Sequence, residues 1–123
     1  MKIISLRIHG VLDWLTVGML AAYPKLLAIS GLPAQVLYGL AGVALVVAVT
    51  SKTPAGLIKV LPMRVHAAIE LALSPVLPAL PWLLGFEDQL VARYLFIALG
   101  AALFLVWLLT DYEQDSIPAV QPA

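Results

Sequence analysis

The sequence predicts an all-α integral membrane protein, with four transmembrane helices laid out as two parallel two-helix repeats. Three observations lead there. First, 63% of the 123 residues are hydrophobic and 11% charged, with a mean hydropathy of +1.02. A soluble domain carries about 25% charged residues, so too few charges remain here to cover a water-facing surface. Second, four apolar stretches can be marked out, each close to the roughly 20 residues that cross a bilayer core. Third, Arg7-Ile8-His9-Gly10-Val11-Leu12-Asp13 is written again as Arg64-Val65-His66-Ala67-Ala68-Ile69-Glu70, at an offset of 57 positions (66 − 9).

The first stretch runs from about Leu6 to Tyr23, with Pro24 and Lys25 at its end. It is expected to be a retained helix and not a cleaved leader, because His9, Asp13, Trp14 and Thr16 interrupt the apolar run and no small-x-small cleavage site follows. The second, about Pro33 to Thr50, holds no charge; Gly31 stops the turn before it and Pro33 starts it. The third begins near Met63 and continues to about Gly85. Pro75, Pro78 and Pro81 are expected to end it early, leaving Leu80 to Phe86 along the membrane interface. The fourth runs from about Leu90 to Thr110. Helices are the assignment because an open sheet cannot satisfy its edge in lipid.

The chain reads as a single transmembrane domain over 1–123, with repeat 1 at about 2–53, repeat 2 at about 59–112 and a flexible cytoplasmic tail at 113–123. At the offset of 57, Lys2 also matches Lys59, Leu20 matches Leu77, and Pro24 matches Pro81. Two helices per repeat give both halves the same orientation, with the pseudo-two-fold axis along the bilayer normal. Lys2, Arg7, Lys52, Lys59 and Arg64 fall on one side and Lys25 and Arg93 on the other. The positive excess places both termini and the central loop in the cytoplasm. Arg7 and Arg64 are expected to anchor to lipid headgroups. Pairs such as Gly18 with Ala22 and Ala44 with Ala48 suit close helix packing in lipid.

Composition also excludes. A formal net charge of zero argues against a nucleic-acid partner, since phosphate binding needs excess Lys and Arg. The chain has no cysteine, which removes disulfides and thiolate ligation. No nucleophile with a base, glycine-rich phosphate loop or dedicated metal-ligand motif is legible. No catalytic residue, metal or enzymatic activity is therefore expected.

A two-helix repeat that opens with Arg-x-His-x-x-x-Asp/Glu and closes in Leu80-Pro81-Trp82-Leu83-Leu84-Gly85-Phe86 resembles the bacterial SPW repeat family, named for a Ser-Pro-Trp triplet. The first copy is reduced to Tyr23-Pro24-Lys25-Leu26-Leu27, and Glu70 stands where Asp is more usual. The resemblance spans about Lys2 to Tyr112. It implies a small four-helix protein of the bacterial inner membrane and, the family being largely uncharacterised, no specific activity.

The candidate site is His9, Asp13, His66 and Glu70. On a helix each histidine shares a face with the carboxylate four residues on, and Thr16 and Ser74 extend the two stripes. A carboxylate a turn into the bilayer costs about 2.5–3.5 kcal/mol unless paired, and the adjacent histidine can pair it. The first reading is a structural clamp that closes the inner end of the bundle. The alternatives are haem b held between the two histidines and a proton or ion relay through the four groups. No cofactor is needed for the clamp. The function expected is that of a non-enzymatic accessory or scaffolding subunit in a larger membrane assembly. Its partners would be membrane lipids and a membrane protein or further copies of the chain.

Overall fold

The computed structural model describes residues 2–112; the tail expected at 113–123 lies outside them. Four helices follow one another, α1 (Leu6–Leu26), α2 (Leu32–Thr50), α3 (Met63–Leu83) and α4 (Leu90–Leu109), and no strand element occurs among the described residues. Three of them, α2, α3 and α4, are long and apolar enough to cross a membrane. The 21-residue α1 is as long, but Arg7, His9, Asp13 and Lys25 dilute its apolar character.

Helix α1 packs on α2, and α3 on α4. Both hairpin turns are built alike. At the end of α1, the Ile29 amide donates to Pro24 O at 2.8 Å and the Ala28 amide to Lys25 O at 3.4 Å, with Ala28 at φ 52°. At the end of α3, the Phe86 amide donates to Pro81 O at 2.8 Å, with Gly85 at φ 79°. This is the left-handed helix stop in which a buried apolar residue follows the turn; Ile29 and Phe86 are both buried. Leu20, Leu37, Leu77, Phe86 and Phe96 form the core at this end of the bundle.

Helix α3 does not stop at its prolines, contrary to the sequence expectation. It continues through Pro75, Pro78 and Pro81 to Leu83. A proline deprives the carbonyl four residues back of its partner. For Pro75 that carbonyl is Leu71 O, and the Ser74 hydroxyl donates to it at 2.9 Å, one of the repairs that let a transmembrane helix tolerate proline. At Pro78 α4 comes close. A Cβ on Gly100 would lie 2.3 Å from the Pro78 ring and 2.6 Å from Ser74 O, so only glycine fits. The prolines shape a contact face; they do not end the helix.

At the opposite end two short bridges tie each leading segment to the end of a second helix, Ile4 with Thr110 and Leu61 with Ser51. The Ile4 amide donates to Leu109 O and the Asp111 amide to Ile4 O, both at 2.9 Å. In the same pattern the Leu61 amide donates to Thr50 O at 2.7 Å and the Lys52 amide to Leu61 O at 3.0 Å. The segment entering α1 is thus stitched to α4, and the segment entering α3 to α2.

Candidate functional site

Inside these two seams lie His9 on α1 and His66 on α3, with 0% and 1% of their surface exposed. Their Nε2 atoms are 3.2 Å apart and the rings meet edge to face. Glu70 Oε1 stands 2.6 Å from both Nε2 atoms. Glu70 therefore pairs with its own neighbour, one turn back on α3, and also reaches across to α1. Asp13 is one methylene shorter. Its Oδ1 lies 3.2 Å from His9 Nε2 and its Oδ2 3.5 Å from His66 Nε2. That Oδ2 is buried and makes no hydrogen bond among the described residues. One donor atom from each of the four residues lies within 4.8 Å of the others.

The far side of each imidazole is held by a hydroxyl. His9 Nδ1 is 2.8 Å from Thr110 Oγ1, and His66 Nδ1 is 2.6 Å from Ser51 Oγ. Each hydroxyl has a single hydrogen and donates it to the carbonyl one turn back: Thr110 Oγ1 to Val106 O at 2.6 Å, Ser51 Oγ to Val47 O at 2.5 Å. Each oxygen can then only accept from its histidine, so both rings carry hydrogen on Nδ1. Both partners are crossed: His9 of the first hairpin is held by the second, and His66 of the second by the first.

A third group closes the site. The Tyr112 hydroxyl donates to Glu70 Oε2 at 2.5 Å. Burial and the Glu70 carboxylate push the Tyr112 phenol well above its ordinary range, so it remains a donor. With Oε2 occupied in this way, Oε1 is left to the histidines.

All four residues of the expected site come together. The stripes stop there, however: the Thr16 hydroxyl donates to Leu12 O at 2.8 Å and Ser74 to Leu71 O, each turned to its own backbone. Arg7 and Arg64 are exposed. Sequence reasoning missed Ser51, Thr110 and Tyr112. A signal for the first two exists, since Ser51 and Thr110 each sit four residues after a valine at matched ends of the second helices, 59 positions apart (110 − 51).

Above the site a cavity of about 180 Å³ opens between the hairpins, with Asp13, His66 and Glu70 at its polar end and Leu20, Leu77 and Leu103 among its apolar walls. Ser51, His66 and Glu70 are linked in the order of a hydrolase triad. Yet Ser51 is fully buried and its hydrogen is committed to Val47 O, so this hydroxyl is a support and not a nucleophile. A haem between the histidines would require Glu70 and Asp13 to leave and the rings to separate. What the arrangement can do as it stands is concentrate positive charge between two imidazole nitrogens and two carboxylates. No family model, no curated protein and no solved structure matches the chain.

Proposed function

We propose that this chain is a non-enzymatic accessory or scaffolding subunit of a larger membrane assembly. In this reading it is a four-span protein of two parallel two-helix repeats, held in the bacterial inner membrane with both termini cytoplasmic. One observation carries the proposal. The polar network is enclosed where the hairpins meet, while all four helices turn large apolar side chains outward, among them Leu15, Val46, Val76 and Leu105. What the molecule offers its surroundings is thus an apolar perimeter suited to lipid and to other helices. The buried His–carboxylate centre acts as the joint that fixes one hairpin against the other. Kinship with SPW repeat proteins belongs to this proposal and rests on the repeated motif alone.

The test is the size of the particle extracted from its native membrane. A 13.2 kDa chain that serves in an assembly should leave the membrane, in a mild detergent or polymer disc, within a larger particle of fixed stoichiometry. A chain recovered only as a monomer under several such extractions overturns the reading.

A further inference from the structure

We propose that His9, Asp13, His66 and Glu70 form a binding site for one divalent transition-metal ion of the zinc class. The proposal rests on the reading of this centre as the joint between the hairpins, and says what completes the joint.

The two hydroxyls fix the tautomer of each ring. Because Thr110 Oγ1 and Ser51 Oγ accept from the Nδ1–H groups, the Nε2 of each neutral ring carries a lone pair. These lone pairs converge on each other at 3.2 Å and on Glu70 Oε1 at 2.6 Å. Electron-rich atoms hold such separations only around positive charge. Protons alone give a poorer solution: two N–H groups would crowd one carboxylate oxygen with their nitrogens 3.2 Å apart, and buried Asp13 Oδ2 would still make no hydrogen bond. A single cation among the four faces both Nε2 lone pairs and both carboxylates.

Charge and donor chemistry narrow the ion. Two carboxylates in an apolar interior are costly unless neutralised, and one divalent ion supplies both charges. Imidazole nitrogen suits zinc, copper, iron and nickel, whereas magnesium and calcium take oxygen ligands. In a tetrahedral zinc site, bonds of about 2.0–2.1 Å put neighbouring donors roughly 3.3 Å apart. The Nε2 pair at 3.2 Å and the His9–Asp13 contact at 3.2 Å already stand at that spacing. Glu70 Oε1, now 2.6 Å from both Nε2 atoms, must withdraw by about 0.7 Å. The outer shell is also in place. Histidine ligands of metals give their other N–H to an oxygen, as both do here, and Tyr112 fixes the second oxygen of Glu70.

The full chain, purified in mild detergent with a histidine-free tag, is incubated with zinc chloride, desalted and analysed for metal. About one zinc per chain is expected, and cobalt(II) in its place should give the visible bands of a tetrahedral nitrogen–oxygen site. His66→Ala should abolish binding. Asp13→Asn keeps the side-chain shape and should weaken zinc at least about tenfold with helicity unchanged. A wild-type chain that retains no zinc overturns the proposal, and so does equal affinity in wild type, His66→Ala and Asp13→Asn. Should wild type bind none while Glu70→Ala still loosens the bundle, the metal site falls and the joint stands.

Discussion

His9 and Glu70, 61 residues apart on α1 and α3, are joined by a 2.6 Å contact that crosses from one hairpin to the other. The same carboxylate oxygen lies 2.6 Å from His66. One acidic side chain therefore holds both histidines of the protein, and the loss of that side chain affects both hairpins at once.

Glu70→Ala removes the carboxylate that both buried imidazoles face and leaves the Tyr112 hydroxyl without its acceptor. Unsatisfied buried groups cost about 1–3 kcal/mol each time a partner is removed. The variant should lose roughly that much stability, read from its unfolding midpoint in detergent. An unchanged midpoint counts against the joint.

The tautomers are directly observable. Histidine 15N shifts should place hydrogen on Nδ1 of both His9 and His66. Ser51→Ala should remove the restraint on His66 alone, and Thr110→Ala that on His9 alone. If the metal is present, each should lower its affinity about 10–100-fold, the usual effect of losing an outer-shell partner. A ring at either position without hydrogen on Nδ1 contradicts the hydrogen-bond assignment.

Two glycines, one in α2 and one in α4, should respond differently to alanine. Gly100→Ala forces a methyl group into the Pro78 ring and should destabilise α3 against α4 by about 1–3 kcal/mol. Gly42, in α2, has no atom of the described residues within 4 Å of an added Cβ. Gly42→Ala should therefore be neutral or stabilise by about 0.5–1 kcal/mol through helix entropy. Equal effects at both sites would falsify the close approach at Gly100.

Tyr112 predicts an alkaline limit. Its phenol is raised above the unfolded value of about 10, so the folded chain binds that proton more tightly. The stabilisation is complete below pH 10 and declines as pH rises beyond it. Tyr112→Phe should have lower stability at neutral pH, where the bond to Glu70 is missing, and a shallower decline in the alkaline range. Parallel pH profiles for the two chains would exclude this role.

The chain has no cysteine, so single cysteines report its orientation. Lys52→Cys should react with an impermeant thiol reagent only from the cytoplasmic face, and Asp88→Cys only from the other. Labelling of both from one side overturns the proposed topology.

Much of the fold was legible because it depends on short-range pattern. Apolar runs and flanking Gly and Pro located all four helices, and the i, i+4 spacing put His66 beside Glu70. The bond from Glu70 to His9 was not legible, because it depends on how closely two hairpins approach, and local spacing is silent on that. Nor were the partners of the rings: Thr110 is 101 residues from His9 and Ser51 is 15 from His66. The three prolines of α3 misled for a related reason. Their cost is set by what else can meet the freed carbonyls, and for Pro75 the Ser74 hydroxyl does so.

The two seams have a mechanical consequence. Packing joins α1 to α2 and α3 to α4; the bridges at Ser51–Leu61 and Ile4–Thr110 join α2 to α3 and α4 to α1. At the bridged end these links close a frame that runs from α1 through α2, α3 and α4 back to α1. A frame with jointed corners still shears, however firm its edges, until a diagonal is fixed. His9 and Asp13 on α1, facing His66 and Glu70 on α3, are that diagonal. Releasing it would leave every other link intact and free the two hairpins to shift against each other.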